Sequence, residues 1–171
     1  DTVSDDLRRI IASDITAEDG HDVAPHYLPD GRIIFSSTRQ RRSRAVLVDE
    51  DKPQFEALDE DRNERALVLH VMDADGGNIR QISYNQSHDL DPSVLDTGEV
   101  IFSRWENMGG RDALSLYRMR PDGTDLQLLY GAHSHDTGTG DVDVHFLQPR
   151  QRDDGRVIAV LQPLTDSYGG G

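Results

Sequence analysis

Between His133 and His145 the chain collects six side chains of metal-ligating type: His133, His135, Asp136, Asp141, Asp143 and His145. Neutral imidazole nitrogens and carboxylate oxygens together suit a divalent metal, or a polar ligand of similar demand. In an extended strand Asp141, Asp143 and His145 share one side, because side chains alternate with period two. The competing reading of this segment is a solvated acidic loop. A second set of candidates repeats along the chain, as His21-Asp22, His88-Asp89 and His135-Asp136. Repetition could bring His21, Asp22, His88 and Asp89 to one ligand-binding face, or it could mark hydrogen-bonding fixtures needed in every unit.

Other chemistry is weakly represented. The segment Asp73 to Asn78 has the wrong glycine position and no closing glutamate for a twelve-residue calcium loop. Gly76-Gly77 and Gly109-Gly110 lack the Gly-Lys-Ser/Thr ending of a phosphate loop. No catalytic triad and no carboxylate pair with acid/base spacing can be assigned, so no residue is named as catalytic. The chain has no cysteine, which excludes disulfides, thiolate metal sites and covalent c-type haem attachment within it. With 18 basic against 32 acidic residues, a net charge of −14, nucleic acid and anionic membrane surfaces would be repelled. No run approaches the roughly 18 apolar residues of a membrane span.

The elements that must position these residues come from an internal repeat. The stretch "HDVAPHYLPDGRIIFSS" from His21 returns as "HDLDPSVLDTGEVIFSR" from His88, a shift of 67 residues. "LHVMDADGGNIRQI" from Leu69 returns as "LYRMRPDGTDLQLL" from Leu116, a shift of 47. A degenerate third copy of the first half is "FLQPRQRDDGRVIAV", where Pro149 and Gly155 keep the spacing of Pro25/Gly31 and Pro92/Gly98. "DLRRI", Asp6 to Ile10, resembles the outer run of the second half.

Each half reads as two short β-branched and aromatic runs joined at a glycine turn, hence a hairpin. Asp75-Gly76 and Asp122-Gly123 are expected to supply positive-φ turn positions. One unit is then four antiparallel strands, the pattern of a propeller blade. The expected fold is all-β, a single partial β-propeller domain over 1–171. Units lie near 1–20, 21–87, 88–134 and 135–171, with a charged insertion at 39–65. That makes about two whole blades with partial ones on either side, an incomplete ring. Ile34, Phe35, Val71, Ile101, Phe102 and Leu116 are expected in the core, and Trp105 is placed at the start of a connector. Because the chain opens at Asp1 in the middle of a repeat, it reads as a piece of something longer. Open strand edges would then be covered by neighbouring repeats or domains of the parent chain, or by another subunit.

The pattern "PxxLPDGRIIFSS" followed by "LYxMxxDGxxxxxL" resembles TolB-type β-propeller repeats. "HDVAPHYLPDGRIIFSSTR", "LHVMDADGGNIRQIS", "DPSVLDTGEVIFSRWE" and "LYRMRPDGTDLQLLYG", in that order, resemble the middle propeller domain of the hydrazine synthase alpha subunit family. The resemblance implies a periplasmic or secreted parent in which c-type haems are bound by flanking domains. It leaves two functions. One is a non-catalytic scaffold, docking or ligand-binding module; the other is part of a multihaem oxidoreductase, to which this propeller lends residues at a haem or metal site completed elsewhere. Fold does not carry reaction with it.

Overall fold

A computed structural model describes residues 20–39, 57–58, 64–108, 111–138 and 142–163. The outer strand expected near residues 7 to 11, most of the charged insertion and Asp141 lie outside the described residues.

Strands β1 (Asp22–Tyr27), β2 (Ile33–Ser37), β3 (Val68–Met72) and β4 (Arg80–Gln81) form one antiparallel sheet in chain order. A second sheet repeats this with β5 (Asp89–Val94), β6 (Val100–Met108), β7 (Arg111–Met119) and β8 (Gln127–Tyr130). Strands β9 (Val144–Gln151) and β10 (Val157–Pro163) form a two-stranded hairpin, and a 3-10 turn at His135–Thr137 is the one helical piece among the described residues. No described helix is long and apolar enough to cross a membrane.

Five hairpin turns share one construction. In the first, Leu28 and Gly31 donate to the carbonyls of Arg32 and Leu28 at 2.8 and 2.9 Å, and the pair recurs at Leu95, Arg152, Asp73 and Arg120. Gly31, Gly76, Gly98, Gly123 and Gly155 all have φ between 80° and 91°. This is a type I turn closed by a left-handed glycine, a three-residue loop. In four of the five an aspartate precedes the glycine, and it does not share the positive φ. Its carboxylate instead accepts the N–H two residues on, as Asp30 does from Arg32 at 3.1 Å and Asp122 from Thr124 at 2.9 Å. The expectation of positive φ at both members of Asp-Gly is thus corrected to the glycine alone.

The repeated prolines mark a second shared irregularity. Ala24, Asp91 and Gln148, each preceding a proline, have φ of 51°, 51° and 49°, and the strand register shifts there in all three hairpins. A bulge releases the proline, which has no N–H, from the ladder it cannot join. Register then coincides throughout: Tyr27↔Ile33, Val94↔Val100 and Gln151↔Val157 occupy one position, as do Asp22↔Ser37, Asp89↔Arg104 and Phe146↔Leu161.

Apolar runs in β2, β3 and β6 are buried on both faces, which is why they are continuous rather than alternating. Ile34, Leu69 and Val71 pack across to Val100, Phe102 and Met119, filling the space between the two sheets. Ile33, Phe35 and Met72 cluster separately. Leu116 packs with Val144 and Phe146, joining the second sheet to β9. All six residues expected in the core are buried.

Candidate functional site

The repeated histidines hold one unit to the next. His88 Nδ1 accepts the backbone N–H of Leu67 at 3.1 Å, and His145 Nδ1 accepts that of Leu114 at 3.0 Å. Leu67 precedes β3 and Leu114 lies in β7, 47 residues apart as the repeat requires. Counting from the Pro-Gly pairs, the third histidine of the series His21, His88 is His145 and not His135. The ten extra residues therefore come before the histidine. His21 is exposed; its N–H bonds to Thr38 Oγ1 at 2.9 Å and its carbonyl accepts from Thr38 N at 3.1 Å. Burial lowers the His145 imidazole pKa, His135 lowers it further, and Asp112 opposes both.

Trp105 lies inside β6 and is buried, not at the head of a connector. Its ring contacts His88 and His145 at centroid distances of 6.3 and 5.3 Å, and its indole N–H donates to Asp112 at 2.6 Å. One aromatic therefore touches two successive histidines of the series.

The aspartates following His21 and His88 occupy matching positions with different surroundings. Burial tends to raise the Asp22 carboxyl, but bonds from Arg39 and Ser37 outweigh this and hold it below the ordinary value. Ser37 Oγ and Arg39 Nε each lie 2.7 Å from Asp22 Oδ1, and Arg39 Nη2 bonds to Oδ2. Asp89 is fully buried, with Arg104 Nε 3.8 Å away and the Asn85 amide at 3.4 Å. Burial pushes its carboxyl up to about 6, against the opposing pull of Arg104, Ser83 and Asn85. Asp89 Oδ2 and Arg104 Nη1 are buried without a hydrogen-bond partner. The Asn85 amide also donates to the carbonyls of His88 and Trp105 at 3.1 and 2.9 Å, tying the segment after β4 to the residue before β5 and to β6. Neither Asn85 nor Arg104 stands out in the sequence, since their partners are backbone carbonyls and a carboxylate that only the fold brings near.

In the 133–145 segment, strand β9 begins at Val144, so Asp143 precedes the region where side chains alternate. His135 sits in the 3-10 turn, with Nδ1 2.6 Å from the Val144 carbonyl and Nε2 3.2 Å from Ser115 Oγ. His133, Asp136 and Asp143 are exposed, while His145 is buried against Leu114. Among the described residues no three His, Cys, Asp or Glu side chains are grouped as a metal site requires.

No protein-family model and no curated protein sequence matches this chain. Among solved structures it is similar to Kuenenia stuttgartiensis hydrazine synthase, with a TM-score of 0.62 and 19% sequence identity over 85% of this chain. The match takes in 24% of that chain, so the residues here span about a quarter of its length. At this identity the similarity shows a related fold, built of antiparallel β-sheets.

Proposed function

We propose that this chain is a β-propeller segment, with TolB-type blades, which serves as a non-catalytic scaffold, domain-docking or ligand-binding module of a larger exported protein. The observation carrying the reading is the repeated bond from a leucine N–H to a histidine Nδ1. It commits His88 and His145, the residues best suited to ligand chemistry, to joining one unit to the next. Asp22 is likewise committed to Arg39. A ligand-binding role falls to the exposed His133, Asp136 and Asp143, with Asp141 outside the described residues, and to His21 at the start of β1. Both nitrogens of His135 and Nδ1 of His145 face protein partners, which supports the scaffold reading over a divalent-metal site.

The test is thermal melting with and without zinc or calcium, for the unmodified chain and for His145→Ala. Loss of stability in the variant, with melting of the unmodified chain indifferent to either ion, supports the scaffold. A metal-dependent rise in melting temperature that His145→Ala removes would overturn it in favour of a metal site.

The likeness in fold to hydrazine synthase favours a second reading, in which the propeller is part of a multihaem oxidoreductase. Haem would be held by other domains, since this chain has no cysteine for covalent attachment. A Cys-x-x-Cys-His motif in the longer reading frame would support this reading, and further propeller repeats without one would exclude c-type haem.

A further inference from the structure

Among the described residues four side-chain atoms are buried with no hydrogen-bond partner: Ser87 Oγ, Asp89 Oδ2, Ser103 Oγ and Arg104 Nη1. Two of them belong to one pair, because Asp89 and Arg104 stand opposite each other in β5 and β6 and so share a face of the second sheet. Phe102, two residues before Arg104, packs from that face against Ile34 and Leu69 of the first sheet. Ser36 of β2 donates its hydroxyl to the Asp89 carbonyl at 3.1 Å. The pair therefore lies at the joint between the two complete sheets. Arg104 Nε stays 3.8 Å from Asp89 Oδ1, while Nη2 bonds to the Tyr84 carbonyl at 2.7 Å and the guanidinium carbon lies 5.5 Å from the centre of the Tyr117 ring. Held there, the guanidinium does not close on the carboxylate.

The matching carboxylate one unit earlier is closed directly. Ser37 holds the place of Arg104 and Arg39 that of Glu106, each 67 residues earlier in the chain. The Ser37 hydroxyl donates to Asp22 Oδ1 at 2.7 Å and accepts the Arg39 N–H at 3.0 Å, and the Arg39 guanidinium bonds to both carboxylate oxygens. In the second sheet an arginine stands in the serine's place, and Glu106 is engaged by the hydroxyls of Ser115 and Tyr117. The Asp89 site thereby lacks the small hydroxyl that donates and accepts at once. We propose that Asp89 and Arg104 bind one internal water molecule, which donates to Asp89 Oδ2, accepts from Arg104 Nη1 and takes the role of the Ser37 hydroxyl. The pair selects water over an ion. A metal ion at Oδ2 would meet the guanidinium, and an anion at Nη1 would meet the carboxylate. A neutral molecule that both donates and accepts satisfies the two groups together and relieves the cost of leaving each buried and unpaired. A polar contact too long for a direct bond is the setting in which water bridges.

Magnetic relaxation dispersion of water oxygen, measured on the intact 171-residue chain, counts the waters held for longer than the chain takes to tumble. The chain itself supplies the variants. Phe146 and Leu161 face each other at the position of Asp89 and Arg104, so Asp89→Phe with Arg104→Leu places an apolar pair there. Arg104→Ser with Glu106→Arg transfers the arrangement of the first unit instead. Each double variant is expected to lower the count by about one water per chain. An unchanged count in either folded variant overturns the proposal. Sodium and chloride relaxation on the same samples should show no dispersion. Dispersion of either ion that Asp89→Phe with Arg104→Leu abolishes would assign the site to that ion and overturn the proposal as well. Should neither variant fold, the unmodified chain decides through a rotating-frame cross-peak between water and the Arg104 guanidinium protons, of the sign that marks a dipolar contact rather than exchange. That peak is expected, and its absence overturns the proposal.

Discussion

Leu114 donates its backbone N–H to Nδ1 of His145 at 3.0 Å, across from β7 to β9. The same bond at 3.1 Å joins Leu67 to His88 one unit earlier. A buried N–H needs an acceptor, and here a side chain supplies one at the edge of each contact between units. Removing the imidazole leaves the donor buried and unpaired. His145→Ala is therefore expected to destabilise the chain by about 1 to 3 kcal/mol. Urea denaturation would measure this as a lower midpoint at unchanged slope.

The glycine turns separate two costs that are often combined. Gly31 and Gly123 have φ of +86° and +91°, so alanine at either enters the left-handed region, at roughly 1 to 2 kcal/mol. At Gly31 an added Cβ meets nothing within 4 Å, but at Gly123 it would lie 2.5 Å from the Ile82 carbonyl oxygen. Gly123→Ala should thus cost distinctly more than Gly31→Ala, because a backbone oxygen must move. Equal midpoints for the two variants in denaturant would show that φ alone decides.

Buried His70 makes stability depend on pH in a defined sense. Burial lowers its pKa, with the Val68 and Arg39 carbonyls opposing, so the unfolded chain binds the proton more readily. Stability contributed by neutral His70 is full above the unfolded value of roughly 6.5 and declines as pH falls below it. His70→Gln should lessen the loss of melting temperature between pH 7 and pH 5. An unchanged pH profile in that variant would refute the assignment.

The architecture is legible in the sequence because its turns are local. Gly31, Gly98 and Gly155 recur where the backbone must take a positive φ, and no contact with distant residues is needed to see it. The bulges are visible as prolines, although only the structure shows that Ala24, Asp91 and Gln148 bear the strain. The roles of the histidines are not legible. His135-Asp136 copies the spelling of His88-Asp89, yet His145 copies its place, since ten inserted residues separate spelling from register. Sequence pattern misplaces Trp105 for a related reason: β6 runs to Met108, well beyond the apolar core of its motif. Asp89 and Arg104 meet across a strand pair and share their polar setting with Ser83 and Asn85 of the preceding sheet's end. Such neighbours leave no local pattern.

Asp89 supplies the opposite pH dependence to His70. Its carboxyl is raised to about 6, first by burial, with only partial relief from Arg104, Ser83 and Asn85. Oδ2 has no hydrogen-bond partner, and Arg104 Nε at 3.8 Å is too distant for a hydrogen bond. Between the unfolded value of roughly 3.9 and about 6 the folded chain binds more protons than the unfolded one, so this group's contribution to stability falls as pH rises through that window. Since the unfolded carboxyl is already about half ionised at pH 4, about 2 kcal/mol is lost between pH 4 and pH 7. Asp22 acts in the reverse sense, because its lowered carboxyl contributes stability above the unfolded value and loses it on acidification. The raw pH profile therefore mixes both. Subtracting the unmodified chain from Asp89→Asn cancels Asp22 and every other unaltered group. The difference in unfolding free energy, variant minus unmodified, should rise by about 2 kcal/mol between pH 4 and pH 7. Denaturant titrations at pH 4, 5, 6 and 7 supply that difference, and a flat line would show that Asp89 has its ordinary carboxyl behaviour in the folded chain.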